Sequence, residues 1–138
     1  MATFVKHNQF VEDLAKKVHN LDADTLKIAL VNADPASFDT YATLTNEVAN
    51  GFGYTTGGSA LSGVDAEQTA GVLKLDATDL SFVASGGSIG PFRYAVLYND
   101  TAASKQVIGH WDYGEELTLD DADSVDLVIA GTGILTIT

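Results

Sequence analysis

The feature that most constrains this chain is an aromatic-rich stretch, Ser85–Tyr113, in which side chains alternate as they do in β-strands. Within Phe92–Asn99, one set of alternate positions holds aromatic residues and valine, and the other set includes Ala95 and Leu97. Because the second set carries Ala95 and Leu97 between Arg93 and Asn99, the pattern predicts a central strand that is covered on both faces. A second strand is predicted at Val107–Tyr113. The polar residues between the two strands predict the loop of an antiparallel hairpin.

The sequence also predicts where this hairpin begins and ends and how its side chains point. Pro91 is expected to start the first strand, because proline has no N–H to donate within a sheet, and Gly114 is expected to end the second. Trp111 and Tyr113 share one face of the second strand, so we expect them to pair with the aromatic face of the first. His110 alternates with Trp111 and is expected to face the other way.

Length and charge bound the fold and exclude some classes of partner. The 138 residues predict a single domain, 1–138, and a hydrophobic content of 46% supplies a core. The net charge of -12 and the scattered positions of the seven Lys and Arg residues argue against nucleic-acid binding and against anionic membrane surfaces. We expect no transmembrane segment, because no apolar run approaches about 20 residues. We also expect no secretory signal, because the N-terminus lacks a basic region followed by an apolar core. Cysteine is absent, which excludes disulfides and thiolate ligands.

The amino-terminal part of the chain predicts one helix followed by one strand. Apolar residues recur at close to helical spacing over Phe4–Leu21, with charged residues on the other side. Thr3 is a suitable N-cap, and Asn20 with Asp22 is a suitable stop. We expect this helix to pack against a sheet, the less favoured alternative being that it docks a partner. The alternation of Thr25–Asn32 predicts a strand of that sheet.

The next region has weaker patterns. Ser37–Asn50 is ambiguous, and a short helix that includes Tyr41 and Val48 fits its apolar spacing. Gly51–Gly63 is rich in Gly, Ser and Thr, which predicts a loop with a short strand. A surface segment of this length is either functional or ordered by something outside the chain.

The remainder of the chain predicts a mainly β fold of the α+β type. Short strands separated by turns recur at about ten-residue spacing, which is typical of an antiparallel β-sandwich or barrel. The N-terminal helix is thus expected at about residues 4–21 and the sandwich or barrel at about residues 25–138. Besides the hairpin, the predicted strands are Val72–Asp76, Leu80–Ala84, Glu116–Leu119, Ser124–Ile129 and Ile134–Ile137.

The residues that are able to do chemistry form no recognisable motif. His7 and His19 lie twelve positions apart on the predicted helix, which is too far to share a metal ion, and His110 stands alone. Asp121 and Asp123 supply two of the several oxygens that Ca²⁺ requires, so we interpret their turn as solvated. No nucleophile, phosphate-loop or dinucleotide motif occurs. We therefore predict no catalytic residue, no metal and no cofactor, and we expect that the protein is not an enzyme.

Several passages of the chain carry a family resemblance. They are written SGGSIGPFRYAVLYNDT, VIGHWDYG, SVDLVIAGTGILTI and, near the start, FVEDLAKKVHNL running into TLKIALVN. Together they resemble small virion structural proteins of tailed bacteriophages. The resemblance implies a role in the head or the tail and no catalytic residues. A capsid decoration or cement protein would bind the major capsid protein, form homo-oligomers such as trimers, and reside on the capsid surface after assembly in the host cytoplasm.

Alternatives to the capsid role remain open. The runner-up is a tail or neck component, such as a tail-tube, terminator or fibre-associated protein. A third hypothesis is a carbohydrate-binding module that uses the hairpin aromatics, against the simpler interpretation of those aromatics as core. We expect a contact surface on the less patterned parts of the chain, which are the amino-terminal segment, Ser37–Gly63 and the turns. The candidate partner-contact residues are Phe38, Tyr41, Phe52 and Tyr54.

Overall fold

A computed structural model of the chain describes residues 3–138. The fold is mainly β, with one α-helix among the described residues, and its strands pair in antiparallel sheets that do not close into a barrel. Within the same residues, no helix has the length and apolar character needed to cross a membrane. The elements in chain order are β1 (Thr3–Lys6), α1 (Asn8–Ala15), β2 (Leu26–Val31), a 3₁₀ turn (Tyr41–Thr43), β3 (Ser59–Ala60), β4 (Asp65–Thr69), β5 (Val72–Asp76), β6 (Leu80–Val83), β7 (Ile89–Asn99), β8 (Val107–Leu119), β9 (Ser124–Leu127) and β10 (Leu135–Ile137).

The hairpin of β7 and β8 is the centre of the largest sheet. This five-stranded sheet has the order β1-β8-β7-β2-β3, and two smaller sheets have the orders β10-β5-β4 and β6-β9. β7 therefore lies between two neighbours, and all side chains over Tyr94–Tyr98 are buried. The prediction of a central strand that is covered on both faces is confirmed.

One face of the five-stranded sheet is covered by the two smaller sheets. The buried side chains between these layers form the larger of two hydrophobic clusters, which we call the larger core. It contains Ala95 and Leu97 of β7 together with side chains from both smaller sheets. Full burial of an aliphatic or aromatic side chain contributes roughly 1.5–3 kcal/mol, so this sandwich-like layer is a large source of stability. The buried contributions of the smaller sheets are Leu75, Phe82, Leu127 and Leu135.

The opposite face is covered by an irregular stretch, residues 32–58, which we call the cover segment. It packs Tyr41 and Leu44 against small and aromatic side chains of this face. Further along the same segment, Val48 and Tyr54 reach the larger core instead. Both faces of the five-stranded sheet are thus removed from water, one by regular strands and one by a segment with little regular structure. The buried residues of this second core are Ala29, Val31, Tyr94, Val96, Tyr98 and Val107.

The prediction of a short helix within Ser37–Asn50 is wrong, because this stretch contains only a single 3₁₀ turn at Tyr41–Thr43. The backbone instead turns back to β2, where the N–H of Val48 donates to the carbonyl of Leu30 at 3.0 Å. Bonding to the sheet satisfies donors that a helix would otherwise use. The loop with a short strand predicted for Gly51–Gly63 is confirmed, and the strand is β3.

The amino-terminal helix is shorter than the predicted range, Phe4–Leu21, and it begins later. The first part of that range is β1, which pairs with β8 and brings the rings of Phe4 and Trp111 within 4.8 Å. Sheet pairing and the aromatic contact outweigh the weak helical preference of these residues. α1 begins after His7 and ends before Lys17, whose φ of 67° is incompatible with a continuing helix.

β8 is one long strand where the sequence predicts two. The strand continues through Gly114, which has a φ of 85°, and the predicted strand Glu116–Leu119 is its second half. Pro91 lies inside β7 and not at its start, at an irregularity in the register between β7 and β8. Proline is tolerated there because an irregular position does not require its missing N–H in the ladder.

The register irregularities also change which hairpin side chains meet. Trp111 lies opposite Ala95 and belongs to the larger core, whereas Tyr94 and Tyr98 belong to the second core. The expected pairing with the aromatic face of the first strand is therefore wrong for Trp111, because alternation alone does not reveal bulges. It is confirmed for Tyr113, whose ring meets that of Phe92 at a centroid distance of 5.9 Å. His110 faces the side opposite to Trp111, as predicted.

Candidate contact surface

The four residues predicted as partner contacts all lie in the cover segment, but they differ in exposure. Phe52 is 55% exposed and Tyr54 is 2% exposed. Phe38 and Tyr41 are half-buried. The structure does not form one surface from the four: Tyr41 and Tyr54 meet at a shared carboxylate, whereas the side chain of Phe52 faces solvent.

The shared carboxylate is Glu47, which joins three parts of the cover segment. Its Oε2 accepts a hydrogen bond from the Tyr41 hydroxyl at 2.6 Å. Its Oε1 accepts from the Tyr54 hydroxyl and from the Gly57 N–H, both at 2.7 Å. Hydrogen bonds to a charged group are stronger than neutral ones. The sequence marks Glu47 only as part of the start of a short helix, because these contacts depend on the path of an irregular backbone.

The tyrosines of this network also attach the cover segment to the sheet. The Tyr54 hydroxyl accepts a hydrogen bond from the N–H of Leu30 at 3.1 Å. The Tyr98 hydroxyl donates to the carbonyl of Gly57. The rings of Tyr41 and Tyr98 stack with their centroids 4.7 Å apart. The cover segment is therefore fixed to β2 and β7 by directional contacts as well as by apolar burial.

Burial keeps these phenol groups protonated, so they remain hydrogen-bond donors. Desolvation, followed by the hydrogen bond to Glu47, raises the pKa of Tyr41 to about 12. The same two causes raise the pKa of Tyr54. Desolvation, followed by the charge of Asp100, raises the pKa of Tyr98. The network is thus intact at neutral pH.

Phe52 is held in its exposed position by the backbone around it. It adopts a φ of 56°, a region that non-glycine residues rarely occupy and that costs roughly 1–3 kcal/mol. Gly51 and Tyr54 exchange two backbone hydrogen bonds, of 2.7 and 3.1 Å, and so close a loop around Phe52. The carbonyl of Phe52 accepts from the N–H of Ser85 at 2.9 Å. Phe52 therefore stands on a closed loop that is attached to a neighbouring segment.

Two close approaches bring a second exposed apolar residue beside this loop. A Cβ added to Gly87 would lie 2.5 Å from the Phe52 ring, and a Cβ added to Gly53 would lie 2.2 Å from the carbonyl oxygen of Val83. Glycine at both positions lets the loop lie directly on the Val83–Gly87 backbone. Val83 is itself 51% exposed. We call Phe52 and Val83 together the apolar patch.

A pair of buried histidines, which the sequence analysis does not bring together, lies at the second face of the sheet. His7 Nε2 and His110 Nδ1 are 2.8 Å apart. Desolvation lowers the pKa of both rings, and the charge of His7 lowers the pKa of His110 further. The backbone of Phe38 and the carboxylates of Asp34 and Asp39 act on the pKa of His7 in the opposite direction, but desolvation is the larger cause. Over residues 3–138, no three His, Asp or Glu side chains are grouped so that they could hold a metal ion.

Most aromatic side chains of the hairpin lie in the interior. Phe92 is fully buried, Tyr98 is 1% exposed and Trp111 is 5% exposed. The interpretation of these three rings as core is confirmed, whereas Tyr113 is half-buried.

The apolar patch thus combines an outward-facing residue of the cover segment, Phe52, with Val83 of β6, and the Glu47 network ties down Tyr54 at the end of the Phe52 loop. Comparison of the chain with protein-family models, with curated proteins and with solved structures finds no match.

Proposed function

We propose that this protein is a structural component of a tailed-phage virion, and in first place a capsid decoration or cement protein that binds and stabilises the shell of the major capsid protein. The observation that carries the proposal is the apolar patch, in which Phe52 and Val83 are exposed on a backbone that is fixed before any partner binds. The passages that resemble virion proteins of tailed phages supply the setting.

A fixed and exposed aromatic side chain favours a contact function. Aromatic residues concentrate binding energy at protein interfaces. A preorganised loop loses less entropy on binding than a mobile one. A protein that acts through many identical contacts on a symmetric shell needs such a surface once in each copy, with homo-oligomers such as trimers as a natural arrangement. The net charge of -12 disfavours contact with packaged DNA.

A tail or neck component is the second candidate. The observation that favours it is β1, which lies at an edge of the five-stranded sheet and carries Val5, 47% exposed. A sheet edge can accept a strand from a neighbouring copy, as a ring of tail-tube subunits would require. Mass spectrometry of purified heads that lack tails distinguishes the two candidates. The chain should be present in these heads if it decorates the capsid and absent if it belongs to the tail.

The contact itself is tested with purified protein and expanded heads that lack it. Wild-type protein should co-sediment with the heads at a stoichiometry near that of the shell protein. Phe52→Asn should bind about thirtyfold more weakly, because an aromatic anchor at an interface contributes about 2 kcal/mol. Asparagine tolerates a positive φ, so the loop should keep its shape. Val11→Asn, at a position on α1 that is 51% exposed, is the matched control and should bind as the wild type does. Equal binding by the two variants would show that Phe52 is not the contact.

A further inference from the structure

The apolar patch has an acidic neighbour, the turn Asp120–Asp123 between β8 and β9. The N–H of Ala84 donates to the carbonyl of Asp123 at 2.9 Å. The N–H of Gly86 donates to Oδ1 of Asp121 at 2.8 Å. The Val83–Gly87 backbone, on which the Phe52 loop rests, is therefore also hydrogen-bonded to this turn. The apolar patch and the acidic turn thus lie side by side on one surface.

Within residues 3–138, no Lys, Arg or His side chain pairs with the carboxylates of this turn. Asp120, Asp121 and Asp123 are exposed. The segments that form the apolar patch and the turn lie in stretches of sequence without any Lys or Arg, namely 28–73, 75–92 and 106–138.

We propose that the apolar patch and the acidic turn form one interface for a protein surface that presents Arg or Lys side chains around an apolar hollow. This inference deepens the proposed function and rests on it. An apolar centre with a polar rim is the usual arrangement of a protein interface. Three carboxylates that form no ion pair within the described part of the chain attract cationic side chains, and they repel nucleic acid and anionic lipid surfaces. The rim thus selects the partner by charge while the apolar patch supplies the buried contact.

Neutralisation of the rim tests this inference on the complete protein. The triple variant Asp120→Asn/Asp121→Asn/Asp123→Asn keeps the side-chain shapes, and the amide oxygen that replaces Oδ1 of Asp121 can still accept the N–H of Gly86. We expect its association rate with heads to fall about tenfold at low salt, because rim charges act mainly on the rate of encounter. Thermal denaturation of the variant checks that the fold is kept.

A second triple variant controls for net charge. Glu12→Gln/Asp65→Asn/Glu67→Gln removes the same charge from exposed positions on α1 and β4. Its association rate should change by less than about twofold, because charges outside the interface are screened over about 10 Å at 0.1 M salt. Equal loss in the two triple variants would overturn the inference, since it would assign the effect to the charge of the whole protein.

Salt dependence tests the inference without any mutation. An increase from about 0.1 M to 1 M salt, which shortens the screening length from about 10 Å to about 3 Å, should slow wild-type association strongly and slow the neutralised variant little. If the wild type binds heads but neither salt nor neutralisation changes its rate, the inference fails and the proposed function stands. If the wild type binds heads under no condition, the proposed function fails and the inference fails with it.

Discussion

The two faces of the five-stranded sheet are buried in different ways. The first face is covered by two small sheets, whose apolar side chains pack into the larger core. The second face is covered by the cover segment, which holds one 3₁₀ turn and is fastened by Glu47 and three tyrosines. The cover of the first face is thus held by apolar area, whereas the cover of the second face combines apolar burial with a few directional hydrogen bonds.

The comparison teaches how an irregular segment can present a contact residue. A strand must alternate its side chains between two faces, so a regular cover has little freedom to turn an aromatic residue outward. The cover segment is free of that constraint, because its backbone hydrogen bonds and the Glu47 carboxylate satisfy its polar groups without a ladder. The residue that it presents is Phe52, at a φ that no strand would allow.

The largest effect on stability is expected from a cavity in the first face. Phe92 is fully buried in the larger core and meets the ring of Tyr113 at a centroid distance of 5.9 Å. Phe92→Ala should lower the free energy of unfolding by about 3–5 kcal/mol, because the surrounding strands cannot close the space that it leaves. Urea denaturation followed by the fluorescence of Trp111 measures this loss. A loss below about 1 kcal/mol would contradict a tightly packed first face, and with it the difference between the two covers.

A smaller and more local effect is expected from Glu47. Glu47→Ala leaves the hydroxyls of Tyr41 and Tyr54 and the N–H of Gly57 without their acceptor, at an expected cost of about 2–3 kcal/mol. Glu47→Gln keeps one acceptor oxygen and should cost about half as much. Hydrogen exchange should accelerate at the amides of Gly57 and Leu30 while β5 stays protected. Uniform acceleration would show that the cover segment does not open separately from the first face.

The smallest effect is expected from acid, and it should act on the second face. Burial lowers the pKa of His7 and His110 from the ordinary value of 6.5. The unfolded chain therefore binds more protons just below pH 6.5, so the stability that is complete above pH 6.5 is lost as the pH falls toward the lowered values. The loss amounts to about 1.4 kcal/mol for each unit by which a pKa is lowered. Urea midpoints between pH 7.5 and pH 5 measure it.

Substitution of the histidines tests whether His7 and His110 cause this acid sensitivity. His19 is a third histidine whose pKa is lowered by burial, and its ring lies beside Phe10 of the larger core. The double variant His7→Gln/His110→Gln should lose most of the fall in urea midpoint between pH 7.5 and pH 5, whereas His19→Gln should retain it. The reverse result would place the acid-sensitive group at the first face and contradict the comparison.

Much of the fold follows from periodicity in the sequence, because alternation records which side chains a sheet buries. β2, β5, β6 and the hairpin are predicted in this way. β4 is not predicted, because its residues DAEQT form a mostly exposed strand with no apolar alternation. The stretch that begins at Phe4 fits both a helix and a strand, and its pairing with Trp111 decides between them.

The site is less accessible to sequence reasoning than the fold. Phe52 is predicted as a contact residue because it lies in a Gly-rich loop, but its neighbour Val83 has the pattern of an ordinary strand residue. The role of Glu47 depends on partners that approach through an irregular path. His7 and His110 lie 103 positions apart and meet only in the folded chain. Contacts of these kinds leave no local signal in the sequence.

The construction of the apolar patch has a consequence for assembly. The patch requires the Phe52 loop to rest on the Val83–Gly87 backbone, and that backbone in turn is bonded to the turn after β8. These pieces are far apart along the chain and come together only when the small sheets and the cover segment are all in place. In the proposed role, a partly folded copy would therefore lack the surface that recognises the shell. Only fully folded copies would then bind to the shell.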